Sequence, residues 1–178
     1  MSVYFSPNGG AKEALIALIG SAKVNCYVAI YGFNDMDIAE ALINAQARRV
    51  DVKVIMDKMQ TFGKQATLHD VLASTGMPVY VYHPPSGIMH NKFTLVDDVA
   101  VATGSFNYTD QATNHNKENM IVLSDGGSTE DAWIGTLIVQ YYGEFTKILL
   151  AAEEENPANP VTKLKRFLRG FPYLSPDV

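Results

Sequence analysis

The sequence predicts an α/β domain in which a mixed central β-sheet is flanked by helices on both faces. Three observations predict it. From Val3 to Tyr82, short β-rich apolar runs alternate with stretches whose apolar residues recur at helical spacing. Two further β-rich runs, FTLV and VAVAT, are separated only by Asp97-Asp98, a plausible tight hairpin turn. An amphipathic stretch from Trp133 to Leu149 then has the length of a long helix.

In chain order, Val3 to Ser6 reads as a short strand that stops at Pro7. Ser6 or Asn8 is placed to cap a helix over Ala11 to Ala22, with Leu15, Ile16, Leu18 and Ile19 as its apolar face. Asn25 to Tyr31 is a buried-strand candidate, and Gly32 lets it leave. Asn34 or Asp35 precedes a second helical pattern, Ile38, Ala41, Leu42 and Ala45. It ends near Arg48-Arg49, where cations suit a helix C-terminus. Asp51 to Asp57 is another strand, and a helix is expected from Gln65 to Ser74, stopped at Gly76. Val79 to Tyr82 is a strand, and His83-Pro84-Pro85 stiffens the approach to the hairpin. After the hairpin, Glu118 to Leu123 reads as a strand and SDGGSTED as a loop. The aromatic residues of the last helix, Trp133, Tyr141, Tyr142 and Phe145, fit core or subunit interface better than a base-stacking platform.

At 178 residues the chain suits one domain with enough interior for a real core. Residues 1–155 are assigned to it, and 156–178 to a linker and a short basic amphipathic tail. In that tail Lys163, Lys165, Arg166 and Arg169 interleave with Leu164, Phe167 and Leu168. The single cysteine, Cys26, excludes an intramolecular disulfide framework and reads as a buried thiol. No run approaches the roughly 18 apolar residues of a membrane span, so no stable membrane insertion is expected. The N-terminus shows no signal-peptide pattern. Cytoplasmic location is the expectation, with a matured periplasmic or secreted form as the alternative. A net charge of −5 argues against a broadly basic surface and against tight non-specific duplex binding, yet leaves room for a local positive groove.

The chemistry concentrates between Met89 and Met120. His90 and Lys92 enter the first hairpin strand two positions apart, so they share a side. The second strand exits into Gly104-Ser105-Phe106-Asn107, where glycine permits a close turn and two short polar groups follow. Pairing of the strands would gather an imidazole, an ammonium, a hydroxyl and a carboxamide. Such groups can attack, neutralise and hydrogen-bond a phosphate.

His90-x-Lys92, four residues, Asp97, six residues, Gly104-Ser105-x-Asn107: this spacing resembles the signature of the phospholipase D superfamily. It most resembles the small bacterial phosphodiesterase-nucleases that carry one motif per chain. Tyr31 to Asp57 and the Glu118-Asn119 pair sit where that family has similar segments, and the likeness covers roughly residues 3 to 150. The resemblance implies a phospholipase D-like sheet, and a homodimer in which two chains bring His90, Lys92, Ser105 and Asn107 to a shared centre. One His90 would be nucleophile, forming a phosphohistidine, and the other general acid and then base. Lys92, Ser105 and Asn107 would hold the phosphate oxygens, and Glu118 would orient the histidine as in other carboxylate–histidine pairs. Asp97 and Gly104 would be structural and the chemistry metal-free, with no cofactor. Asp97-Asp98 is better explained by the hairpin turn than by Mg²⁺, and no Cys/His or carboxylate cluster looks like a metal site.

His115-Asn116-Lys117 copies His90-Asn91-Lys92 but lacks the rest of the pattern, and reads as chance in a polar loop. His69 reads as a surface helix residue. A non-specific endonuclease acting on DNA, with RNA as a further substrate class, is the favoured function. A lipid phosphodiesterase of phospholipase D type is the runner-up, and an inactive dimeric nucleic-acid-binding protein the third reading.

Overall fold

The computed structural model describes residues 1–62, 68–127 and 132–154. In chain order these form β1 (Ser2–Ser6), α1 (Ala11–Ser21), β2 (Asn25–Ile30), α2 (Met36–Ala47), β3 (Asp51–Asp57), α3 (Lys58–Thr61), α4 (His69–Ser74) and β4 (Val79–Tyr82). They continue as β5 (Lys92–Val96), β6 (Ala100–Gly104), α5 (Asp110–Asn114), β7 (Glu118–Ser124), α6 (Ala132–Ala151) and β8 (Glu153–Glu154). One sheet contains all of these strands, in the order β1-β7-β6-β5-β2-β3-β4-β8. The β2–β3 and β3–β4 pairs are parallel and the remaining pairs antiparallel, so the sheet is mixed as expected. The expected linker and basic tail, 156–178, lie outside the described residues.

Helices cover both faces. On one side α1 buries Ala11, Leu15 and Ile19, and α2 buries Ile38, Ala39, Leu42 and Ala45. On the other side α6 lays Ile134, Ile138, Phe145 and Ile148 on Ala29, Ile55, Phe93, Leu95 and Val101. Strand alternation explains how β5 serves both cores: Phe93 and Leu95 face one, and Val96 faces the other. All five of its residues are buried. Each such aliphatic or aromatic side chain contributes about 1.5–3 kcal/mol by leaving water. Trp133, expected in the α6 stripe, is instead 52 % exposed at the helix start.

Several local expectations give way to tertiary contacts. Neither Ser6 nor Asn8 caps α1; Gly10, at φ 75°, holds that position without a side-chain cap. The Ser6 hydroxyl instead donates to the Ala112 carbonyl at 2.6 Å, binding β1 to α5. Asp35 does cap α2, accepting from Asp37 N–H at 3.0 Å and Ile38 N–H at 3.4 Å. Arg48 reaches across to α1, donating to the carbonyls of Ile19, Gly20 and Ala22, so its charge meets a neighbouring helix end. Of the helix expected over Gln65 to Ser74, the described part is α4; Gly76 follows it at φ 77°. His69 is buried rather than on the surface, with Nδ1 2.9 Å from Asp70. Cys26 is fully buried, and desolvation pushes its thiol up to about 12, which removes the thiolate at neutral pH.

The hairpin forms as expected. Asp97 and Asp98 take φ of 53° and 60°, the left-handed pair that suits a tight turn between twisted strands.

Candidate active site

Strand β5 lies antiparallel to β2, with Ile30 opposite Lys92. One step on, Tyr31 N–H donates to the Asn91 carbonyl at 3.0 Å, which brings the Tyr31 ring beside the motif. The ring takes both functional side chains. Its centroid lies 4.6 Å from that of the His90 imidazole, edge to face, and 5.0 Å from the Lys92 ammonium. Lys92 Nζ also donates to the His90 carbonyl at 2.7 Å. His90 is exposed while Lys92 is only 7 % exposed, so the imidazole is presented and the ammonium is set behind it. Burial lowers the Lys92 pKa to about 8, against the opposing pull of the Glu118 carboxylate.

A second set of contacts fixes the backbone ahead of His90. Asp57 is fully buried at the end of β3, where Oδ1 caps α3 by accepting from Met59 N–H at 2.9 Å and Gln60 N–H at 3.4 Å. Its Oδ2 accepts from Met89 N–H at 2.8 Å. From α3, Gln60 Nε2 donates to the Tyr31 hydroxyl at 3.0 Å.

The other arm of the motif starts at Gly104, where β6 presses on β7. Gly104 has φ 152°, and a Cβ there would stand 2.2 Å from the Asn119 carbonyl oxygen, so no other residue fits. Ser105 N–H donates to that same carbonyl at 3.0 Å, and Ser105 Oγ donates to Glu118 Oε2 at 2.5 Å. Asn116 Nδ2 donates to Glu118 Oε1 at 2.9 Å. Glu118 is therefore held by Ser105 and Asn116, and no hydrogen bond joins it to His90 within the described chain. Asn107 Oδ1 accepts from Gly32 N–H at 3.1 Å, which fixes the amide and keeps its NH₂ for another acceptor.

At the opposite end of the hairpin, the Asp97 carboxylate accepts from the N–H groups of Lys23, Val24 and Asn25, at 2.7–3.1 Å. Burial alone would raise its pKa, but these bonds outweigh that and hold it below the usual carboxylate range. Asp97 thus lies among backbone groups that start β2, away from the imidazole.

His90, Lys92 and Gly104 share the wall of an open cleft of about 520 Å³, whose far side is Gln140, Tyr141 and Glu144 of α6. Ser105, Asn107 and Glu118 are not on that wall. Tyr31, Asp57, Gln60 and the α6 residues were not singled out from sequence as site residues. Their roles depend on which strand ends meet, and only the positions of Tyr31 and Asp57, the two ends of the segment like the family's, gave a hint. His115 and Lys117 are exposed in a loop. Among the described residues His90 contacts no second imidazole. No group of three or more His, Cys, Asp or Glu there could hold a metal ion, and no helix is long and apolar enough to cross a membrane.

An exposed imidazole in front of a buried ammonium, at the entry to the interior strand β5, is the kind of pair that phosphoryl transfer can use. The chain belongs to the phospholipase D superfamily: residues 15–146 match the family described as cardiolipin synthase, PLD-like domain. A phospholipase D of Rickettsia bellii is 38% identical over 125 residues, covering 70% of this chain and 61% of the relative. A mitochondrial cardiolipin hydrolase of Xenopus laevis is 35% identical over 147 residues, covering 81% of this chain and 61% of that protein. The chain thus spans about three-fifths of the length of the curated relatives it matches. Among solved structures, the phospholipase D family member Nuc of Salmonella typhimurium superposes with a TM-score of 0.76 at 30% identity. That match covers 86% of this chain and 95% of the other.

Proposed function

We propose that the protein is a metal-independent phosphodiesterase, an endonuclease cleaving DNA, with RNA as a further substrate class. A phosphodiester anion repels nucleophiles and has a poor leaving group, so a site must bring positive charge, a nucleophile and a proton. The observation that carries the reading is His90 exposed in front of Lys92, both packed on Tyr31, at the wall of an open polar cleft. His90 Nε2 attacks phosphorus and the alkoxide leaves with a proton from a second imidazole. Water then attacks the phosphohistidine, with that second imidazole as base. Lys92 balances the non-bridging oxygens, and Ser105 and Asn107 donate to them. Because His90 meets no second imidazole among the described residues, the second one comes from another copy, and the active unit is a homodimer. The carboxylate of Glu118 orients the imidazole once the second copy is present.

An open cleft suits a long polyanion that must enter sideways. A lipid substrate is the second reading, favoured by the names of the curated relatives and by exposed Met59, Phe62 and Ile88 close in sequence to Gln60 and His90. Plasmid and single-stranded DNA should be cut in millimolar EDTA, while phosphatidylcholine and cardiolipin vesicles stay intact. Hydrolysis of lipid alone overturns the nuclease reading, and loss of cleavage in EDTA restored by Mg²⁺ overturns the metal-free mechanism.

A further inference from the structure

We propose that Asp57, Gln60 and Tyr31 form a positioning frame that fixes the His90 imidazole for attack, resting on the reading of His90 as nucleophile. Three contacts bracket the histidine. Asp57 Oδ2 holds the amide of Met89, the residue just before it, at 2.8 Å. Tyr31 N–H holds the carbonyl of Asn91, the residue just after it, at 3.0 Å. The Tyr31 ring meets the imidazole itself at 4.6 Å between centroids.

Asp57 is the keystone because it is fully buried and serves both sides. One carboxylate oxygen starts α3 and the other grips the approach to His90. Helix α3 then carries Gln60, whose side chain pins the Tyr31 hydroxyl at 3.0 Å. A buried carboxylate is costly unless its lone pairs are filled, and here backbone N–H groups fill them. An exposed histidine on a loop otherwise has several rotamers, and each misaligned one is lost to in-line attack. The frame removes that freedom without touching substrate, so these are positioning residues and not catalytic ones.

Tyr31→Leu removes the ring while leaving its backbone bond, and Tyr31→Phe removes only the hydroxyl. Asp57→Asn keeps a single acceptor oxygen, which can serve α3 or Met89 but not both. Tyr31→Leu and Asp57→Asn should lower kcat by about 10–100-fold, with KM changed by less than about threefold. Tyr31→Phe, which loses only the Gln60 bond, should lower kcat by clearly less than Tyr31→Leu does. Thermal unfolding separates positioning from folding: the Tyr31 variants should melt close to wild type, which keeps the inference testable even if Asp57→Asn folds poorly. Wild-type kcat in Tyr31→Leu overturns the frame, as does a loss in Tyr31→Phe equal to that in Tyr31→Leu. The activity-free readout is ¹³C relaxation of the His90 ring: ordered in wild type, more mobile in Tyr31→Leu. If wild type cleaves no phosphodiester, the functional reading fails while this relaxation comparison still decides the frame, and an unchanged ring order overturns it.

Discussion

Ser105 Oγ donates to Glu118 Oε2 at 2.5 Å, and the backbone N–H of Asn119 donates back to Ser105 Oγ at 3.1 Å. Two motif residues expected to act on different partners, one on phosphate and one on histidine, are a single hydrogen-bonded unit in this chain. The Glu118 charge is also felt by Lys92. Any movement of the carboxylate toward an imidazole must release the serine hydroxyl, which then becomes available to a phosphate oxygen.

Ser105 and Glu118 should therefore couple. Glu118→Gln and Ser105→Ala should each lower kcat/KM, and the double variant should be no worse than the worse single variant. A coupling energy on the order of 1 kcal/mol or more is expected from groups in direct contact. Strictly additive losses in the cycle would show that the two act independently.

His90→Ala should lose activity by at least about a thousandfold, because the proposed symmetric centre would lose its nucleophile and its general acid together. Sedimentation at the assay concentration should show a dimer for wild type and variant alike. Full activity in a sedimenting monomer would refute the shared-centre mechanism.

The alkaline side of the pH profile should belong to Lys92, whose pKa is lowered to about 8. The ammonium is charged below that pH and neutral above it, so kcat/KM should fall by at least about tenfold per pH unit beyond it, and more steeply where the lysines of both copies must be charged. Bound phosphate stabilises the ammonium, so kcat itself should hold to higher pH. The folding sign is the reverse of an ordinary ion pair. Between about 8 and the unfolded lysine value the unfolded chain binds the extra proton, so this group adds stability as pH rises there. Lys92→Arg should move the alkaline fall out of range, whatever its cost in rate. An unmoved limb in that variant would assign the limb to another group.

Asp97→Ala should act on stability and hardly on chemistry. It removes a carboxylate that accepts three backbone N–H groups at the start of β2. The loss should be on the order of 2 kcal/mol, readable by urea titration. Because the folded pKa is depressed, this stabilisation is complete above the ordinary value of 3.8 and is lost as pH falls through the folded value. A variant as stable as wild type at pH 7 would contradict this role.

Much of the fold was legible in the sequence because local chemistry and tertiary need agree. The Asp97-Asp98 turn, the strand at Asp51–Asp57 and the Asp35 cap are specified within a few residues of themselves. Where they disagree, neighbours in space decide. Ser6 is a good cap by type, yet its hydroxyl is taken by Ala112, and Gly10 starts the helix. Four-residue α3 and five-residue α5 carry too little periodicity to be read, and each depends on one cap, Asp57 or Thr109.

The sequence by itself determined which groups exist for the chemistry: the spacing of His90, Lys92, Gly104, Ser105 and Asn107 on two strands joined by a short turn. A strand's two-residue period and a turn's φ demands are local, so they are written in consecutive letters. Only the tertiary structure decided how those groups are held. Strand β2 came to lie beside β5, which set Tyr31 against His90 and Lys92, and β3 ended where Asp57 could reach Met89. Those contacts join residues tens of positions apart, through burial and hydrogen-bond satisfaction that no local pattern encodes.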